Sequence, residues 1–316
     1  KNSHKEAFFL TTQFSNLGFQ AWRRVPGASG LEGSLELDTQ AARLQLNSKN
    51  VRVDVPGVVR KSLSFDILTG DGVARHGEHG EDGWNVWSDR FEAGNRDIQT
   101  DGSFQLKIPN QGSPELDLAA NFRNGRAAAT SHYLPAGVMP PAAVAWLDRA
   151  IVDGSVPAGG VIFRGPLDQF PFRQAQGRFE IRFTVEDGIL DYVPRWPRLE
   201  QIQAEVVFRE QGMHIHGHRA QTLEAEVANV RVDIDDLSTH KSILRVQGRA
   251  HGPASTGLAF LTTTPLGDTV GQRLRNWRVT GNTEVDLDLA IPLIAGASNE
   301  IAGTVRLTDT DIYPTG

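Results

Sequence analysis

At 316 residues with a net charge of −6, and with its basic residues scattered among the acidic ones, the chain presents no electropositive face for nucleic acid. It contains no cysteine, which excludes disulfides and thiolate metal sites. Its longest apolar-rich run, Val138 to Leu147, is about half of the ~20 residues that a membrane helix needs, so the pattern is that of a soluble segment.

Lys1 in place of Met, with no signal-peptide pattern behind it, points to a segment of something longer or to a processed chain. Residues 1–20 carry Phe8, Phe9, Leu10, Phe14, Leu17 and Phe19 and predict one or two strands. Pro26 and Gly27 close a turn that begins at Trp22. From Leu31 onward a period of two sets in. Leu31, Gly33, Leu35 and Leu37 alternate with Glu32, Ser34, Glu36 and Asp38. Leu44 and Leu46 continue the pattern, followed by Val51, Val53 and Val55, then Leu63, Phe65 and Ile67. Successive strand side chains point to opposite faces, so each segment has one apolar and one wet face. Asp71–Gly83, rich in glycine and charge, predicts a loop. Trp84 and Val86 begin another strand, then Phe104, Leu106 and Ile108, then Leu116, Leu118, Ala120 and Phe122.

Tyr133–Gly154 interrupts the alternation. Pro140 and Pro141 suit the first turn of a helix. Ala143, Leu147, Ala150 and Ile151 recur at helical spacing, Val144 widens that face, and Gly154 marks the stop. A second β array follows. Phe179, Ile181, Phe183 and Val185 alternate with Arg and Glu. Then come Ile202 to Phe208, Met213 to Gly217, Leu223 to Val227, Val230 to Ile234, and Leu244 with Val246. Residues 256–277 predict a second helical region, with Leu266, Val270, Leu274 and Trp277 spaced 4-4-3. Two last strands carry Val285, Leu287, Leu289 and Ile291, then Ile301 to Leu307. Asn50-Val-Arg-Val-Asp is echoed by Asn229-Val-Arg-Val-Asp, which suggests two related arrays, 1–130 and 159–316, joined by a helical insertion at 131–158. Chance likeness between amphipathic strands explains the echo equally well.

The candidates for chemistry are few. His214, His216 and His218 share one strand face and could offer zinc three imidazoles. They occupy the polar phase of an amphipathic strand, however, and the outer two lie ~13 Å apart along it. A solvated face is the better reading, and no metal is expected. His76 and His79 fall in an acidic loop. No nucleophile elbow, phosphate cradle or acid/base pair stands out, so neither enzymatic activity nor a cofactor is expected. What remains is a large amount of one-sided apolar strand. Periodicity alone favours a sandwich or barrel core. The alternative is an open sheet whose apolar face lines a groove, because soluble proteins normally hide such strips.

The segment Tyr133-Leu-Pro-Ala-Gly-Val-Met-Pro-Pro-Ala-Ala-Val-Ala-Trp-Leu147 resembles the "YLP…M…P…V…WL" stretch of YhdP-like proteins, of the AsmA-like group of bacterial envelope proteins that includes TamB. The resemblance continues through Gly159–Gly165, Phe170-Pro-Phe172, Gly177–Ile181, Leu190-Asp-Tyr192, Trp196-Pro197, Ala204–Phe208 and Thr264-Pro-Leu266. It implies a mainly β fold, an elongated, curled antiparallel sheet forming a hydrophobic groove. It also implies a periplasmic location within a longer chain anchored in the inner membrane, and the passage of phospholipid toward the outer membrane. The expected partners are phospholipid acyl chains and the remainder of that longer chain. The expected groove lining is Leu35, Leu37, Val53, Phe65, Phe104, Leu106, Phe179, Ile181, Phe183, Val206, Phe208, Leu223, Val232, Leu287 and Leu289. The helix face of Val144, Leu147 and Ile151 is expected to form a lid at the groove mouth or a brace at a sheet edge, with the lid preferred. The competing reading is a structural or tethering protein with a closed β core and no lipid.

Overall fold

The computed structural model describes residues 8–22, 26–77, 83–239, 241–265, 274, 276–294 and 300–314. Seven strands come first: β1 (Phe9–Phe19), β2 (Gly27–Asp38), β3 (Ala41–Asp54), β4 (Leu63–His76), β5 (Gly83–Gly94), β6 (Gln99–Pro109) and β7 (Glu115–Arg126). Two helices follow, α1 (Thr130–Tyr133) and α2 (Pro141–Ala150), and then β8 (Ile151–Pro166), β9 (Arg178–Leu190), β10 (Leu199–Arg209), β11 (Gly212–Thr222), β12 (Ala225–Ile234) and β13 (Ile243–Pro253). The remainder is α3 (Ala254–Thr263), β14 (Trp277–Val279), β15 (Asn282–Pro292), β16 (Glu300–Thr308) and β17 (Ile312–Pro314).

Fifteen of these strands form one antiparallel sheet in chain order, broken only where β13 pairs with β15; β14 and β17 form a separate pair. Up to β13 each strand returns beside the one before it, most of them through the short connections that antiparallel pairing permits. The sheet does not close, since β1 and β16 are its two edges. The closed sandwich or barrel that periodicity favours is therefore not what the strands build. The chain divides into two compact units. The first comprises residues 1–125, 132–139 and 158–181; the second comprises 126–131, 140–157 and 182–316.

The strands carry their own bends. Asn50 in β3 and Asn229 in β12 both adopt the left-handed conformation, with φ of 55° and 52°. Asparagine tolerates that region better than most residues. At Asn229 the β12–β13 register slips between Ala228 and Arg231. The β2–β3 register slips across the span that contains Asn50, between Leu46 and Arg52. A bulge inserts one residue and resets the pleat. This is why the apolar phase changes from Leu44 and Leu46 to Val51 and Val53, and from Val227 to Val230 and Val232. The Asn-Val-Arg-Val-Asp echo thus marks a left-handed asparagine at a register irregularity in each array, six steps of β3 opposing four of β2 and three of β12 opposing two of β13.

Several sequence expectations are corrected. Asp71–Gly83 is not all loop, because β4 continues to His76 with Gly70 and Gly72 inside it. Glycine reads as a breaker locally, but ladders on both sides hold the strand. His79 lies outside the described residues. The central helix ends at Ala150, and Ile151 is already extended, at φ −83° and ψ 104°. The β-branched pair Ile151–Val152 prefers the sheet. Gly154 is no helix stop: a Cβ there would lie 2.8 Å from Gly188 Cα, so it permits close approach of two backbones. The second helix is α3, which begins at Ala254 behind Pro253 and ends at Thr263, and Trp277 opens β14. Leu266 and Val270 lie outside the described residues. Leu223 to Ile234 is not two strands but a turn and β12.

Several residues that carry the family resemblance hold the non-strand segments in place. In the first unit, Asn95 Nδ2 donates to Tyr133 Oη at 2.8 Å, and Gly137 N–H donates to Val58 O at 2.8 Å. A Cβ on Gly137 would sit 2.0 Å from Gly57 O, so only glycine fits. Phe163, Phe170, Phe172 and Phe179 make a ring cluster with centroids 5.1–6.2 Å apart. In the second unit, Trp146 Nε1 donates to Tyr192 O at 2.9 Å, and Asp191 N–H donates to Ala150 O at 2.8 Å. Arg149 reaches the same Asp191 and Tyr192 carbonyls, and Trp196 sets its ring edge-on to Phe260 of α3 at 5.3 Å.

Candidate functional site, an apolar sheet face

Paired residues in an antiparallel ladder share a face. In the first unit the register sets Leu10, Leu37, Ala42, Ala74, Val86, Leu106 and Leu116 in one row across β1–β7. A second row is Phe14, Gly33, Leu46, Gly70, Phe91, Gly102 and Ala120. Between them stand Leu35 opposite Leu44, and Ser88 opposite Phe104, which is itself opposite Leu118. The intervening rows on the other face read Thr11, Glu36, Arg43, Val73, Trp87, Gln105, Asp117 and Gln13, Ser34, Gln45, Asp71. One side of the sheet is thus apolar across seven strands, and the other is largely polar.

The second unit repeats this. Val206, Ile215, Val232, Val246, Leu289 and Ile301 form one row. Phe208, Met213, Ile234, Leu244 and Ile291 form the next. Ala204, Gly217 and Val230 stand beside these rows, as do Gly248, Leu287 and Gly303. The opposite face carries ion pairs, among them Arg182–Glu205 at 2.9 Å and Arg249–Asp286 at 2.9 Å. Exposed pairs of this kind add little stability. They keep that face in water.

The apolar face is incompletely covered. Among the described residues the fully buried apolar side chains are mostly alanines, and the largest is Phe172 of the ring cluster. The bulky residues of the rows are mainly half-buried, and at the β16 edge Ile301 and Val305 are 68% and 62% exposed. A sheet packed against a second layer would bury them.

The expected lining residues fall into distinct places. Leu35, Leu37, Phe104, Leu106, Val206, Phe208, Val232, Leu287 and Leu289 stand in the rows. Phe65 pairs with Val51, and Val53 with Leu63, beyond the Asn50 bulge. Phe183 stacks on Phe208 at 6.5 Å. Ile181 is half-buried in β9. Phe179 instead packs inside the ring cluster, and Leu223 sits exposed in the β11–β12 turn at φ 53°. Of the helix residues, Val144 is buried, Leu147 half-buried, and Ile151 belongs to β8. Sequence reading places Gly33 and Gly217 in the apolar phase, but Gly70, Gly72, Gly102 and Gly248 escape it, because there glycine registers as punctuation and not as an apolar position. The signal that could find them is their spacing in phase with Ala74, Leu106 and Val246 of the same strands.

The histidines take the polar side. His214 Nδ1 lies 2.7 Å from Asp233 Oδ1, and the His216 and His218 rings are 4.5 Å apart. Among the described residues no three His, Cys, Asp or Glu side chains are grouped to hold a metal. Nor is any helix there long and apolar enough to cross a membrane.

A family model described as "YhdP protein" matches residues 2–316. The chain is 23% identical over 300 residues to the intermembrane phospholipid transporter YhdP of Escherichia coli (strain K12). That match covers 95% of this chain and 23% of the relative, so the chain spans about a quarter of that protein's length. No solved structure matches the chain.

Proposed function

The chain belongs to the YhdP family, and from that premise we propose that it is a periplasmic segment of an intermembrane lipid-transfer protein. Phospholipid acyl chains travel along its apolar sheet face, from the inner toward the outer membrane. The anchor belongs to another part of a longer chain, and the segment performs no bond chemistry. The observation that carries this reading is that, within each unit, paired strands set rows of incompletely covered apolar side chains on one face. Each methylene left in water costs ~0.8 kcal/mol, so two acyl chains of about 30 methylenes in all would cost on the order of 24 kcal/mol unsheltered. A continuous apolar track removes most of that cost, and a mobile lipid needs no tight polar pocket. A strand of seven residues is ~23 Å long, wide enough to shelter a chain lying across it. On the same reading α2 is a brace and not a lid. Its hydrogen bonds to the Asp191–Tyr192 backbone, and its passage into β8 without a linker, leave it no hinge.

Native mass spectrometry of the purified chain tests the proposal. Phospholipid masses should remain bound under gentle ionisation and leave on delipidation. A homogeneous lipid-free mass, unchanged after incubation with phospholipid vesicles, would sink it.

A further inference from the structure

The apolar face has a gap along β4. Gly70, Gly72 and Ala74 stand on it in succession, between Leu46, Leu44 and Ala42 of β3 and Phe91 and Val86 of β5. The gap is ~14 Å long, and its walls stand on backbones ~9.6 Å apart. Most glycines of these rows serve the fold. A Cβ on Gly33 would lie 1.9 Å from Gln45 O, on Gly102 2.5 Å from Ala119 O, and on Gly70 2.8 Å from Arg90 O. Gly72 is different. Its φ is an ordinary one, and a Cβ would meet nothing closer than Leu44 Cβ at 3.7 Å. Glycine inside a strand weakens it and marks places where something else approaches closely.

A second feature lies beside the gap. Ser88 pairs with Phe104 on the apolar face, one strand over from Gly72. It is only 4% exposed, and its hydroxyl has no hydrogen-bond partner. A buried hydroxyl left unmet is destabilising, and natural proteins seldom keep one without use. The Phe91 and Phe104 rings, 6.3 Å apart, flank this position.

We propose that the gap over Gly70, Gly72 and Ala74 is a seat for one acyl chain, with the ester carbonyl of that chain accepting from Ser88 Oγ. The seat rests on the reading that acyl chains travel on this face. Its ligand class is an ester-linked acyl lipid, the alkyl part lying along β4 and the polar part ending at β5.

The test uses the whole chain with phosphatidylethanolamine vesicles whose lipid carries a diazirine in one acyl chain, followed by mapping of labelled peptides. In the native protein, β3–β5 and β11–β13 should both be labelled. Gly72→Ile should lower labelling of β3–β5 about ten-fold, leave β11–β13 labelled, and melt at or above the native temperature. Undiminished β3–β5 labelling in the variant, with β11–β13 also labelled, would overturn the seat and leave the track standing. No labelling anywhere in the native protein would overturn both. A lower melting temperature for Gly72→Ile and Gly72→Ala alike would show that the glycine serves the fold, which also overturns the seat. An ether-linked analogue of the probe should label β3–β5 about five-fold less than the ester, and Ser88→Ala should erase that preference. Equal labelling by both probes in the native protein would remove Ser88 from the site.

Discussion

At the scale of single residues, several identities that mark the family do mechanical work in the segments between strands. Gly137 is confined by Gly57 O, so Gly137→Ala is expected to cost about 2 kcal/mol by urea denaturation, more than a surface substitution does. Tyr192 is a second case. Burial pushes its phenol up to about 12. The unfolded phenol titrates near 10, so the folded state holds the proton more tightly. That contribution to stability is complete below pH ~10 and is lost as pH rises toward ~12. The urea midpoint should fall across that window, and Tyr192→Phe, which keeps the ring against Trp196, should make the fall shallower.

At the scale of elements, a strand in this protein is an alternating pattern interrupted by a bulge, and the bulge residue is legible. Asn50→Ala and Asn229→Ala should each destabilise by about 1 kcal/mol, because alanine pays more for the left-handed region, while the matching glycine variants stay near native. Equal losses for alanine and glycine would contradict that account. Helix α2 is tied by side chains to the end of β9. Trp146→Phe removes the bond to Tyr192 O and keeps most of the apolar surface, so a loss of about 1 kcal/mol is expected. If α2 were a lid instead, this variant would leave stability unchanged and would raise lipid uptake.

At the scale of the whole molecule, the apolar face and the Phe163–Phe170–Phe172–Phe179 ring cluster should respond differently to substitution. Phe172→Ala empties a buried site and should cost about 3–5 kcal/mol in urea denaturation. Val232→Glu places a charge on a half-buried row and should cost about 1 kcal/mol while abolishing phospholipid retention in native mass spectrometry. A closed core would reverse that order, since a buried carboxylate would unfold the sheet.

The alternation of Leu35 and Leu37, of Phe104 and Leu106, and of Leu287 and Leu289 determines by itself that the chain is antiparallel β with one wet and one apolar face, because strand side chains alternate strictly. The segment from Tyr133 to Leu147 is enough to indicate the family. Sequence does not decide where that apolar face goes. A sandwich, a barrel and an open sheet share one periodicity, and only the pairing order, with β1 and β16 left as edges, separates them. Nor does it decide how Gly70 and Gly72 behave, since a local signal for a turn is overruled by ladders on both sides. Phe179 and Leu223 carry the same alternating signature as their neighbours, yet one packs in a ring cluster and the other caps a turn. Alternation specifies a face, while tertiary contacts, which join residues far apart in the chain, specify what covers it.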